Sequence, residues 1–218
     1  VIHLIDSTCK MSVKLYYGVL ERCDLITRAV QVVNEGGQAV QLRRCASLCL
    51  DFQRGDLDFI TFDGCHAQER GLNRAPLRQG VQSVESVRGT SSHHHNPFVI
   101  LCGHNADEDC GICYGAMLVY SGNFLAAAER THLENNRLML GINPYHFCYT
   151  LAPGECFTAP EAALVCSPCG FGQMSRQFHR AIRENLIHDP LEGKRRPVLI
   201  NNWEATEFGF DAEKLVSI

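Results

Sequence analysis

The chain has 218 residues, 45% of them hydrophobic and 20% charged, with a formal net charge of −4. Those proportions suit a globular protein with a real core, and the mild acidity lacks the basic footprint of a nucleic-acid binder. No apolar stretch approaches the roughly 18 consecutive residues of a membrane helix, so the sequence reads as soluble, with room for one large or two small domains.

Val1-Ile2-His3-Leu4-Ile5 reads as the middle of a strand, and with no initiator Met both ends of the chain look cut. From Ser12 to Leu20, Val13, Leu15, Tyr17 and Val19 alternate with smaller or polar residues, the period of two of a strand buried on one face. Asn34-Glu35-Gly36-Gly37 is a turn signal, which predicts a hairpin of Leu25–Val33 with Ala39–Phe52. In that second arm Val40, Leu42, Ala46, Leu48, Leu50 and Phe52 share a face, and Arg44 falls on it without explanation. Further strands are predicted over Asp58–Phe62, Val81–Ser86, Pro97–Cys102, Tyr114–Tyr120, Phe124–Arg130, Arg137–Ile142 and Cys156–Val165. Many strands at near-regular spacing point to a large sandwich.

At Cys169-Gly170 the period changes. Phe171, Met174, Phe178, Ile182 and Leu186 recur at three and four residues, one face of a helix. The helix must end before Asp189-Pro190, because the residue before a proline disfavours the α region. A charged linker, Glu192 to Arg196, leads to Pro197 and then Val198-Leu199-Ile200, a run of the kind buried on both faces of a parallel sheet. A β/α barrel needs roughly 250 residues, so a domain opening at Pro197 is expected to be cut short at Ile218.

Twelve cysteines are below the roughly 8–10% of a disulfide scaffold. Several lie in apolar runs, as Cys102 does after Ile100-Leu101, where the thiol behaves as a small hydrophobe. The composition favours reduced thiols. Cys110-x-x-Cys113 and Cys166-x-x-Cys169 have the spacing of zinc half-sites, but the gap from Cys113 to Cys166 far exceeds the roughly 15–20 residues of a zinc ribbon. No metal and no cofactor is expected. His93-His94-His95 sits on an extended segment whose neighbours alternate in direction, so a loop-ordering role is expected rather than a shared ion. Asp107-Glu108-Asp109 reads as a solvated loop.

The run Arg196-Pro-Val-Leu-Ile-Asn-Asn-Trp-Glu-Ala-Thr-Glu-Phe-Gly-Phe-Asp-Ala-Glu-Lys-Leu215 resembles the start of the catalytic barrel of glycoside hydrolase family 36, the bacterial-type α-galactosidases. Upstream blocks resemble the same family in order, among them Gly80-Val-Gln-Ser-Val-Glu-Ser-Val-Arg-Gly-Thr-Ser-Ser-His93, Asn105-Ala-Asp-Glu-Asp109 and Gly141-Ile-Asn-Pro-Tyr145. The resemblance implies a mainly β fold: a β-supersandwich (galactose-mutarotase-like) over 1–168, a connecting helix and linker over 169–196, and the first strand of a truncated (β/α)8 barrel over 197–218. It implies a tetrameric, retaining α-galactosidase acting on terminal α-1,6-galactose, as in melibiose and raffinose; the reduced thiols point to a reducing compartment, and a cytoplasmic location is expected. Its two catalytic aspartates would lie on later strands, so no catalytic residue is expected in this chain.

Barrel active sites form at the C-terminal ends of strands, and there the resemblance places Asn202, Trp203 and Glu204. An indole face can stack on the C–H face of galactose, so Trp203 is the leading substrate-contact candidate, with Asn202 and Glu204 as weaker ones. Two departures stand nearby: Glu207 replaces the family's usual Tyr and Gly209 its usual Asp. The family has no cysteines at the two Cys-x-x-Cys positions. Rival readings are a stand-alone carbohydrate-binding or structural sandwich, and an α-N-acetylgalactosaminidase or galactosyltransferase of the same fold.

Overall fold

The computed structural model describes residues 1–53, 55–187, 195 and 197–218. They divide into two compact units, Val1–Glu184 and Asn185–Ile218. Among them no helix is long and apolar enough to cross a membrane.

The first unit is mainly β. Strand β1 (Ile2–Asp6) pairs antiparallel with β2 (Met11–Leu20) through a turn in which Asp6 Oδ1 accepts the N–H groups of Thr8 and Cys9. A 3-10 turn at Glu21–Cys23, closed by Asp24 at φ 46°, leads into β3 (Leu25–Asn34), which pairs with β2 along its whole length. Asp tolerates that left-handed conformation because its short side chain can bond locally.

The hairpin expected between β3 and residues 39–52 does not form. The Asn34–Gly37 turn is present, but Asn34 donates its amide to the carbonyls of Gln38 and Leu151 and leads the chain out of the sheet. Both edges of β3 are already taken: β2 lies on one, and β14 (Cys156–Thr158) and β15 (Ala162–Ser167) on the other. The expected single strand 39–52 is two, β4 (Val40–Leu42) and β5 (Ala46–Phe52), which pair with β13 (Tyr149–Leu151) and β12 (Asn136–Ile142). Arg44 stands in the break between them, exposed, with its guanidinium 3.5 Å from Met139 Sδ. The break removes it from the apolar face.

Strand β6 (Asp58–Cys65) and β7 (Gln68–Pro76) form a hairpin. β7 escapes sequence reading because every residue in it is exposed, so there is no buried face to impose an alternation. Then follow β8 (Gly80–Glu85), β9 (Phe98–Cys102), β10 (Cys113–Leu118) and β11 (Phe124–Arg130). The large sheet runs β1-β2-β3-β15-β10-β9-β6-β7, and a smaller sheet, β11-β12-β5, packs on one face of it. Strand β8 lies against β11, where Ser86 N–H donates to the Phe124 carbonyl.

Strand pleat divides the core. Leu101, Ala116 and Leu118 point to the small sheet and meet Leu48, Phe124, Leu138 and Leu140. Ile100, Cys102 and Cys113 point the other way, onto helix α1 (Gly170–Ala181). The predicted stripe holds there: Met174 and Phe178 are buried, and the Phe178 ring meets Phe98 edge-on at 5.3 Å. Burying such a side chain contributes about 1.5–3 kcal/mol. The stripe ends at Ala181, because Ile182–Leu186 is a π-helical turn and Leu186 is exposed; its wider winding shifts the helical phase. Tyr17 and Val19, expected on the buried face of β2, are 46% and 67% exposed, whereas Val13 and Leu15 on the same strand pack against the core cluster around Val30 and Leu151.

The helix stop at Asp189-Pro190 and most of the linker 192–196 lie outside the described residues. In the second unit, Val198 and Leu199 are each 93% exposed and Val198–Ile200 pairs with no strand among the described residues. The expected first barrel strand is therefore not formed as a strand here. A parallel strand owes its ladder to neighbouring backbones, and the described residues place none beside it. Two short helices follow, α2 (Trp203–Thr206) and α3 (Ala212–Ser217), the latter capped by Asp211 accepting Lys214 N–H at 2.9 Å.

Candidate functional site

Asn202, Trp203 and Glu204 come together on one turn rather than at a strand end. Asn202 precedes α2, and its carbonyl accepts the N–H groups of Ala205 and Thr206. Its side-chain amide donates to Thr206 Oγ1 at 2.7 Å, and that hydroxyl donates to the Asn202 carbonyl. The Asn202 side chain thus holds the turn. Asn201 Oδ1 accepts Trp203 N–H at 3.1 Å. The Trp203 side chain is free by contrast: half exposed, it meets Phe208 edge-on, centroids 5.0 Å apart at 85°. Glu204 is exposed and makes no hydrogen bond among the described residues. Glu207, one of the two departures, takes φ 47° and ψ −120° as it closes the turn, a conformation that side chains other than Gly rarely adopt.

The two Cys-x-x-Cys segments meet in space despite their separation in sequence. β10 pairs with β15, and Gly111 bridges to Cys169. Yet the thiols do not converge. Cys113 lies opposite Ser167 and is buried under α1, whereas Cys166 lies opposite Tyr114, one residue away and so on the other face. Among the described residues no group of three or more His, Cys, Asp or Glu could hold a metal ion. Metal analysis of the purified chain is expected to find zinc far below stoichiometry; a full equivalent lost on Cys110→Ser would overturn this.

The segment expected to be extended is instead a turn over Ser92–His94, with Ser92 at φ 48°, so the three histidines do not alternate as on a strand. His95 Nδ1 pairs with Asp63 Oδ1 at 2.6 Å, His94 Nδ1 meets Arg88 and the Ser92 hydroxyl, and His93 stacks on His94 at 4.3 Å. Desolvation, then the Arg88 cation and the flanking imidazoles, hold His94 below its ordinary value. The backbone bonds Gly64 N–H to the His94 carbonyl and Asn96 N–H to the Phe62 carbonyl fasten this loop to β6.

One cluster escaped sequence reading. Asp58, with a side chain only 8% exposed, accepts from Arg74 Nε and His104 Nδ1, both at 2.6 Å. Arg74 also donates to the carbonyls of Gly103, His104 and Ala106, and its guanidinium lies 6.0 Å from the Phe171 ring. The three residues are far apart in sequence and form no motif. The available signal was Asp58 itself, an acid between Leu57 and Phe59, since a buried charge requires a partner.

The loop this cluster fixes also caps α1. Helix α1 has no side-chain cap; instead the carbonyls of Gly111, Asp107 and Glu108 accept the N–H groups of Gly170, Phe171 and Gly172 at 2.8–2.9 Å. Asp107 Oδ1 accepts the N–H groups of Asp109 and Cys110, which lowers its pKa. The side chains of Asp107–Asp109 are exposed, as a solvated loop would have them, while their backbone supports a helix.

The model of the glycosyl hydrolase family 36 N-terminal domain matches residues 1–152, and that of melibiase matches residues 156–218. The chain belongs to glycosyl hydrolase family 36. Among relatives in this family, it is 44% identical to the bifunctional alpha-galactosidase/sucrose kinase AgaSK of Mediterraneibacter gnavus, over 99% of this chain and 23% of the relative. It is 43% identical to alpha-galactosidase AgaA of Geobacillus stearothermophilus, over 98% of this chain and 29% of the relative. A solved structure of AgaA in complex with stachyose superposes with a TM-score of 0.94, covering 99% of this chain and 30% of that one. The chain thus spans under a third of the length of these relatives.

Proposed function

We propose that this chain is part of a retaining α-galactosidase that hydrolyses terminal α-1,6-galactosides of the melibiose and raffinose type. The observation that carries the reading is the pair of family matches, which follow one another in order over almost the whole chain. AgaA has been solved with stachyose and with raffinose, which supports the substrate class. In this reading residues 1–168 form the supersandwich, 169–196 connect, and 197–218 open the catalytic barrel, whose later strands supply both carboxylates. Retention requires those carboxyl groups about 5–5.5 Å apart. The chain alone is then inactive, needs no cofactor, and belongs to a cytoplasmic homotetramer.

Trp203 is the galactose-stacking residue in this proposal, with Glu204 beside it and Asn202 holding the turn. The test is to express the full open reading frame and assay it on melibiose, raffinose and the corresponding N-acetylgalactosaminide. Galactose released with retained configuration supports the reading; preferential cleavage of the N-acetylated sugar, or transfer without hydrolysis, rejects it. In the active enzyme Trp203→Ala is expected to lower kcat/KM roughly ten- to hundredfold, about 1.4–2.7 kcal/mol, with Trp203→Phe falling less. Unchanged kcat/KM in Trp203→Ala would remove Trp203 from the sugar site.

A further inference from the structure

Cys102 and Cys113 are direct cross-strand partners on β9 and β10. The adjacent pair, Gly103 and Ile112, is bridged by Gly103 N–H donating to the Ile112 carbonyl, and at the far end of the strands Leu118 N–H donates to the Pro97 carbonyl. Hydrogen-bonded and non-hydrogen-bonded pairs alternate along an antiparallel ladder, so Cys102 and Cys113 form a non-hydrogen-bonded pair. Such pairs hold their Cα atoms about 4.5 Å apart with side chains turned toward each other, inside the roughly 4.4–6.8 Å a disulfide spans. Both side chains point to the same face, into the cluster beneath α1, and both are free thiols.

We propose that Cys102 and Cys113 are an oxidation site: a buried dithiol that a small-molecule disulfide of the glutathione class converts to an intrachain cystine. One thiol, as thiolate, attacks a sulfur of the external disulfide and releases the first small thiol, leaving a mixed disulfide. The second thiolate attacks the protein sulfur of that mixed disulfide, forms the Cys102–Cys113 bond and expels the second small thiol. Two electrons pass to the external disulfide, and the two thiol protons end on the two released thiols. The bond closes the loop from Gly103 to Ile112, whose Asp107, Glu108 and Gly111 carbonyls cap α1, so oxidation staples the helix support.

Access governs the rate. Burial pushes both thiols up to about 11 and neither is exposed, so reaction requires local opening of α1 together with the 104–110 loop that caps it, a loop mostly exposed but tied down by Arg74. The same burial then shields the finished bond from reductant. This separates the pair from exposed thiols such as Cys49, Cys148 and Cys156, which lack a cross-strand cysteine partner in the ladder.

The test incubates the 218-residue chain with oxidised glutathione at alkaline pH, quenches with acid, alkylates under denaturing conditions and maps peptides by mass spectrometry. The expected result is a linked pair of peptides carrying Cys102 and Cys113, about 2 Da lighter than the separate thiols. It should accompany a Tm several degrees above that of the chain kept in dithiothreitol. Arg74→Met is expected to speed formation severalfold without changing the linkage. Cys102→Ala and Cys113→Ala should each abolish the linked species. Recovery of Cys102 and Cys113 as separately alkylated thiols, as stable glutathione adducts, or bonded to other cysteines would overturn the proposal.

Discussion

Replacing Asp58 by alanine is expected to lower the unfolding free energy by about 3–5 kcal/mol, the cost of breaking a buried ion pair by removing one partner. The Asp58 side chain is 8% exposed, so its charge cannot turn to water without moving the chain, whereas Arg74, at 27% on the exposed strand β7, keeps part of its solvent. Without the carboxylate, Arg74 keeps the carbonyls of Gly103, His104 and Ala106, which places the loss toward the lower end of that range. His104 loses its partner at Nδ1 as well. Asp58→Asn retains the shape and one acceptor, and should cost less than Asp58→Ala. Urea denaturation checks this as a lower midpoint at unchanged slope. A loss under about 0.5 kcal/mol, the range of ordinary surface substitutions, would mean that the pair is solvated in solution and does not anchor the loop.

This cluster also marks the boundary of what the sequence could say. Period-two runs located most strands of the first unit, because a strand between a sheet and a helix must be apolar on both faces, as Val99–Cys102 is, and one with a wet face must alternate. β7 has no buried face and so left no pattern. The Asn34–Gly37 turn was legible as a turn, but pairing is a contest between strands, and β14 and β15 from far along the chain won the edge of β3. Periodicity cannot register that contest. Arg44, inexplicable on a continuous strand, marked the break between β4 and β5. The family blocks pointed to Trp203 directly, whereas the arrangement around it depends on atoms: Asn202 spends its amide on Thr206, while the Trp203 indole and the Glu204 carboxylate stay exposed. Asp58, Arg74 and His104 meet through a hairpin and a loop, so no spacing could have joined them.

Gly170→Ala is expected to be nearly as costly as the loss of Asp58, about 3 kcal/mol. Gly170 opens α1 at φ 76°, a left-handed conformation that charges a residue with a Cβ roughly 1–2 kcal/mol. The space is also closed. An added Cβ would stand 2.5 Å from the Asp107 carbonyl oxygen and 2.7 Å from the Cys110 nitrogen, both backbone atoms that cannot rotate aside. The loop must therefore shift, and it is the same loop whose carbonyls receive the N–H groups of Gly170, Phe171 and Gly172. Gly154 supplies the control: its φ is 82° and nothing lies within 4 Å of an added Cβ, so Gly154→Ala should show the conformational penalty alone, about 1 kcal/mol. The difference between the two variants isolates the packing of loop against helix. Hydrogen exchange reads it locally, with the Phe171 and Gly172 amides losing protection in Gly170→Ala and keeping it in Gly154→Ala. Equal destabilisation in both variants, with those amides still protected, would show that the 103–111 loop does not cap α1 in solution.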